Sequence, residues 1–168
     1  MNAMTICYAT TLTALGTALV SRSPRGLCAI LLGDDEAALR LELESVFPGA
    51  VARQDGSGLR AVLDELRAFL ISPATGFHHP LDLAGTPFQR QVWQALLDIP
   101  AGSTATYTEI AARIGRPDAV RAVAGACAAN RHAVAIPCHR FRRRDGTLSG
   151  YRWGVDRKRR LLALEAQG

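Results

Sequence analysis

Thr106-Tyr107-Thr108-Glu109-Ile110-Ala111-Ala112-Arg113-Ile114-Gly115-Arg116-Pro117-Asp118-Ala119-Val120-Arg121-Ala122-Val123-Ala124-Gly125-Ala126-Cys127-Ala128-Ala129 reads as a short helix, a glycine-containing turn and a second helix opened by Pro117. Two helices joined this way make a helix-turn-helix, a unit that many proteins without nucleic-acid function also use. The second helix is unusual in being almost stripped to alanine and glycine. An ordinary helix is about 10–12 Å across with its side chains. That width suits the major groove of B-DNA, whereas the minor groove is roughly 6 Å wide. A slim helix can approach a widened minor groove closely, and Arg121, the long side chain on it, is shaped as a wedge for the space left by a displaced base. Some of the alanines must nevertheless face the core.

Downstream lies Ile136-Pro137-Cys138-His139-Arg140, followed by Arg142, Arg143 and Arg144. Proline removes a backbone donor and fixes its own torsion, so Cys138 sits on stiff chain. Positive neighbours favour the thiolate, the reactive form of cysteine. Most free cysteines merely pack. Adjacent residues of an extended strand point to opposite faces. Read as a strand, this stretch does not by itself guarantee direct contact between Cys138 and His139.

Charge divides the chain. Residues 1–84 carry 6 Lys and Arg against 9 Asp and Glu, a net of −3, whereas residues 85–168 carry 14 against 6, a net of +8. A basic half beside an acidic one points to a polyanion docking on one side. Nucleic acid suits this better than a membrane, because no strongly amphipathic Lys-rich helix with exposed aromatics is present. No apolar run reaches spanning length and Met1 to Ala9 lacks the features of a signal peptide. Cys7, Cys28, Cys127 and Cys138 show no paired spacing, which predicts reduced thiols and a cytoplasmic protein.

The acidic half is predicted to be scaffold. Thr5 to Thr10, Gly16 to Ser21 and Gly26 to Leu32 read as strands of a small sheet. Asp34-Asp35 cap a helix ending before Pro48-Gly49, and a second helix runs from about Ser57 to Leu70. Ser72 to Pro87 reads as a linker with a short strand at Pro80 to Leu83. His78-His79 within it lack ligand spacing, so no metal is assigned. Thr86-Pro87 then caps a helix to about Asp98 that buries Phe88, Val92, Trp93 and Leu96. A final helix spans about Val155 to Ala166. Glu165 near its end opposes the helix dipole. Asn130 can pin the turn before the cysteine through backbone hydrogen bonds.

These residues resemble the O6-alkylguanine-DNA alkyltransferases, also called methylated-DNA–protein-cysteine methyltransferases. Ile136-Pro137-Cys138-His139-Arg140 looks like the active-site motif. Thr86-Pro87-Phe88-Gln89, Arg121-Ala122-Val123, Asn130 and Ser149-Gly150-Tyr151-Arg152-Trp153-Gly154 match in the expected order, covering about 80 residues strongly. Gly26 to Gly33 is similar to the C-terminal repair domain of bacterial Ada proteins. No Ada-like zinc and regulatory region precedes it, so a free-standing alkyltransferase is expected.

The resemblance implies an α+β fold: a ribonuclease H-like scaffold over 1–78 and a winged-helix-like DNA-binding and alkyl-transfer domain over 79–168. It implies irreversible, single-turnover transfer of alkyl groups from O6 of guanine, and from O4 of thymine, in double-stranded DNA to Cys138. Guanine O6 faces the major groove, so minor-groove binding requires the base to be flipped out. Arg121 would fill the vacated position, with Arg116, Ala119, Ala122, Gly125 and Thr106 beside the DNA. His139, through a bridging water, would activate Cys138, with Glu165 orienting it. Tyr107 would protonate the leaving base. Pro137, Ser149, Tyr151, Arg152 and Trp153 would wall the base pocket, and Trp153 should favour methyl over benzyl groups. No cofactor, no metal and a monomer are expected. A cysteine hydrolase would need an oxyanion site but neither the slim helix nor the basic half; a DNA-binding regulator or damage sensor would not need Cys138.

Overall fold

The computed structural model describes residues 3–167. Strands β1 (Thr5–Thr13), β2 (Gly16–Ser23) and β3 (Gly26–Gly33) form an antiparallel meander, and β4 (Val51–Gln54) adds parallel to β1 to give the order β3-β2-β1-β4. Gly16 turns the first hairpin at φ 101°, and a Cβ there would stand 2.7 Å from the Gly33 carbonyl oxygen. Only glycine fits both the torsion and the space. Helices α1 (Glu36–Val46) and α2 (Arg60–Ile71) bury Leu39 and Leu43, and Val62, Leu63, Leu66, Phe69 and Leu70, in the core that the sheet supplies.

Three local departures from the sequence reading have simple causes. β4 is short, largely exposed and polar, so it carries no alternating pattern to betray it. α2 begins at Arg60 rather than Ser57, because the Asp55 carboxylate accepts from Gly58 N at 2.9 Å and holds the preceding residues in a turn. The strand expected over Pro80 to Leu83 reduces to one bridge, Leu81 to Leu27.

The second half is helical. α3 (Pro87–Leu97) and α4 (Tyr107–Arg113) each start with a full capping box, Thr86 with Gln89 and Thr106 with Glu109. α5 (Val120–Ala128) follows, starting three residues later than Pro117 suggests. These helices close around Val92, Trp93, Leu96, Ile110, Val123 and Phe141, while Phe88 is only half-buried. The indole N–H of Trp93 donates to the Ala126 carbonyl at 2.9 Å, tying α3 to α5. A two-residue parallel pair, β5 (Ala105–Thr106) with β6 (Phe141–Arg142), and α6 (Val155–Ala166) complete the α+β fold.

The halves are laced together at the free edge of β3. Ile30 N donates to Arg131 O at 2.8 Å and Ala133 N to Ile30 O at 2.9 Å, so residues 131–133 extend the sheet. Ala133, Val134, Ala135, Trp153 and Leu161 accordingly pack in the core of the first half. The chain leading to Cys138 is thereby anchored to the scaffold.

Candidate active site and nucleic-acid interface

Cys138 does not lie on an extended strand. Residues Cys138–Arg140 form one 3-10 turn following Pro137. The turn is imposed from outside: Asn130 Nδ2 donates to Ile136 O at 3.1 Å and Cys138 Sγ at 3.3 Å, while its Oδ1 accepts from His132 N at 2.8 Å. Within the same bend Val134 takes φ 62°, the one positive value outside glycine among the described residues. A β-branched residue there is strained, at a cost of about 1–3 kcal/mol, and persists only where its surroundings enforce it.

Behind the cysteine, His139 Nε2 and Glu165 Oε1 are 2.6 Å apart, and Arg140 clamps the same carboxylate through Nε at 3.0 Å and Nη2 at 2.8 Å. Arg140 Nη1 also donates to Ile99 O at 2.6 Å. Burial acts to raise the pKa of Glu165, but hydrogen bonds from His139 and Arg140 outweigh it and hold the carboxyl at about 2. Burial pushes the His139 pKa down despite Glu165. The pair is therefore a neutral imidazole donating Nε2–H to a carboxylate, which can only accept. That tautomer leaves the lone pair on Nδ1, a buried atom with no hydrogen-bond partner among the described residues.

A cavity of about 350 Å³ opens onto Cys138, with Tyr107, Cys127, Tyr151, Arg152 and Trp153 around it and Ala124 of α5 at its wall. Tyr107 stacks on Phe141 at 4.5 Å between centroids and donates its hydroxyl hydrogen to Ser149 Oγ at 2.7 Å. Burial raises the pKa of Tyr107, and that of Tyr151 further. Burial, aided by Cys138, also pushes the Cys127 thiol up, which keeps it protonated. Arg152 lies over the Trp153 ring and reaches Asn130 O at 3.1 Å and Glu42 at 3.3 Å.

Two residues expected in the pocket are not on its surface. Pro137 borders a separate hollow shared with Arg140 and Phe77. Ser149 is buried behind the wall, where it contacts Tyr107 and Lys158. Lys158 itself escaped the sequence reading, hidden in the basic run Arg157–Arg160. Its spacing from Leu161 and Glu165, the other buried residues of α6, is the helical signal that could have revealed it.

On the outer side, α5 exposes Arg121, Ala122, Gly125 and Ala128 while burying Val123, Ala126 and Cys127. Arg116 is exposed over the Phe88 ring, and Ala119 is half-buried at the start of α5. The Thr106 hydroxyl is occupied in capping α4. Arg143 and Arg144 are exposed on the turn after β6. Away from the site, His79 pairs with Glu65 at 2.9 Å, and no cluster of three or more His, Cys, Asp or Glu suited to a metal occurs among the described residues. No helix there is long and apolar enough to cross a membrane.

Residues 87–167 match the family model for the 6-O-methylguanine DNA methyltransferase DNA-binding domain. The chain is 52% identical to the bifunctional transcriptional activator/DNA repair enzyme Ada of Escherichia coli over 98% of its own length and 46% of that protein, so it spans about half of that relative. It is 47% identical to a methylated-DNA–protein-cysteine methyltransferase of Mycobacterium tuberculosis over 66% of this chain and 67% of the other. The crystal structure of Mycobacterium tuberculosis OGT in complex with DNA superposes with a TM-score of 0.80 at 34% identity, covering 96% of this chain and 93% of that one.

Proposed function

From a chain that belongs to the methylated-DNA–protein-cysteine methyltransferase family, we infer a protein that removes methyl groups from O6 of guanine in double-stranded DNA by taking them onto Cys138. The observation that carries this is one juxtaposition. A sulfur with an amide donor on it, Asn130 Nδ2 at 3.3 Å, borders a cavity whose wall includes Ala124 of the small-residue helix α5. DNA binding alone would not require that sulfur at the cavity.

In this reading residues 79–168 bind and react, while 1–78 act as scaffold. The exposed face of α5 sits in a widened minor groove, the damaged nucleotide rotates into the cavity, and Arg121 fills the gap. His139 Nδ1 takes the Cys138 proton, directly or through one water, and Glu165 stabilises the imidazolium. The thiolate attacks the methyl carbon and forms the S–C bond as the C–O6 bond breaks. The electron pair goes to the guanine ring, which takes a proton from Tyr107. Atoms and charge balance with side chains of the chain alone, so no cofactor is invoked. The thioether product offers water no leaving group, so each molecule reacts once. The same chemistry extends to O4 of thymine. A monomer in the cytoplasm, where DNA and reduced thiols coexist, suits the reading.

Mass spectrometry after incubation with a duplex oligonucleotide containing O6-methylguanine tests it. One methyl group should appear on the peptide bearing Cys138. Methyl loss from the DNA without gain by that peptide would overturn the assignment. Cys138→Ser should bind the duplex and take up nothing.

A further inference from the structure

Cys127 takes no part in the transfer set out above, yet it borders the same cavity as Cys138, and both are free thiols. Asn130 ties the two residues together. Its backbone N–H donates to Cys127 O at 3.2 Å, and its Nδ2 donates to Cys138 Sγ at 3.3 Å. The last turn of α5 and the 3-10 turn are thereby pinned side by side at one hollow. A small oxidant that enters the hollow meets both thiols, whereas Cys7 and Cys28 lie away from it on β1 and β3.

The two sulfurs differ in kind. An amide donor on Cys138 favours its thiolate. Cys127 stays a thiol, because burial and a hydrogen bond with Cys138 both push its pKa up. We propose that Cys127 and Cys138 are a modification site for peroxides, closing to a disulfide that stores the reactive sulfur instead of destroying it. The Cys138 thiolate attacks one peroxide oxygen, and the S–O bond forms as the O–O bond breaks. The hydroxide released takes up a proton and leaves as water. Cys138 is then a sulfenic acid, and the peroxide has been reduced. Cys127 attacks that sulfur, the S–S bond forms as the S–O bond breaks, and the Cys127 proton departs with the hydroxyl as a second water. Thiol exchange with a small reductant returns both cysteines.

A thiol as firmly protonated as Cys127 is a slow nucleophile in free solution. Confinement beside its target offsets this, since well-oriented intramolecular partners reach effective concentrations of about 10⁵–10⁸ M. The alternative fate of a sulfenic acid with no thiol beside it is further oxidation to the sulfinic acid, which simple thiols do not reverse. A transient disulfide of this kind is compatible with a reducing compartment. The chemistry needs only the two sulfurs and a peroxide, whatever Cys138 takes from DNA.

The test treats the reduced full chain with stoichiometric hydrogen peroxide, caps the remaining thiols with iodoacetamide under denaturing conditions, and digests without reductant. Trypsin cuts after Arg131, which puts Cys127 and Cys138 on separate peptides. Mass spectrometry should find those two peptides joined and two hydrogens lighter than the reduced pair. In a parallel native sample, dithiothreitol should restore iodoacetamide capture of Cys138. Cys127→Ser should lose that recoverable fraction, measured against its own untreated capture, and accumulate sulfinic acid on Cys138. Wild-type protein that carries sulfinic acid on Cys138 with Cys127 still capped, or that links Cys138 to Cys7 or Cys28, overturns the proposal. So does peroxide that leaves both thiols free, or recovery in Cys127→Ser equal to wild type. Should Cys127→Ser fail to fold, the wild-type peptides alone decide.

Discussion

His139 Nε2 and Glu165 Oε1 stand 2.6 Å apart with almost no solvent on either side chain, and Arg140 grips the other side of the same carboxylate. Glu165→Gln keeps the shape but removes the charge that supports an imidazolium. Methyl transfer should fall about 10²-fold, read by quench-flow on a methylated duplex. Arg140 is left without its anion, and breaking such a buried pair costs about 3–5 kcal/mol, visible in urea unfolding.

Stability should follow pH in two steps. His132 and His139 are held below their ordinary value of 6.5, mainly by burial. The unfolded chain therefore binds more protons below about 6.5, and stability drops there. Glu165 is held at about 2 against an ordinary 4.5, so its contribution is present above 4.5 and disappears as pH falls toward 2. Urea midpoints across pH should show both declines, and the acid one should flatten in Glu165→Gln.

Asn130 satisfies Ile136 O, His132 N and the Cys138 sulfur together. Asn130→Ala should cost about 1–3 kcal/mol for the buried groups left unpaired. Iodoacetamide capture of Cys138 should slow as the amide donor to sulfur is lost. Capture at the wild-type rate would mean that this contact does not support the thiolate.

Gly125 is exposed on α5, and a Cβ there would meet nothing within 4 Å. Gly125→Ala should raise stability by about 0.5–1 kcal/mol, because glycine is a poor helix former. Gly125→Leu should fold equally well yet bind duplex DNA at least about tenfold more weakly if a thin helix face is what the groove accepts. Unchanged affinity in a fluorescence titration would remove α5 from the interface.

Trp153 is buried against Tyr151 at 5.3 Å between centroids while bordering the cavity. The cavity, about 350 Å³, lies near the lower end of the roughly 300–1,000 Å³ of small-molecule sites. Trp153→Gly should raise the rate on O6-benzylguanine relative to O6-methylguanine, with a stability cost of about 3–5 kcal/mol. An unaltered ratio would show that the indole does not limit the alkyl group.

Local chemistry made much of this readable from sequence. Thr86-Pro87 and Asp35 are self-contained helix starts, and α6 runs over the expected residues. What stayed hidden depends on partners distant in the chain. The turn at Cys138 is imposed by Asn130 and by the Arg140–Glu165 clamp, so five local residues suggested an extended strand instead. Pro137 borders a separate hollow and not the cavity at Cys138. Lys158 looked like one more surface cation until the Ser149 loop enclosed it.

The carboxylate partner of His139 comes from α6, 26 residues further along, and the preceding bend is stitched to β3 a hundred residues earlier. A cut anywhere between residues 140 and 165 would therefore leave His139 joined to its carboxylate by packing alone, and its two fragments should stay together as one folded unit.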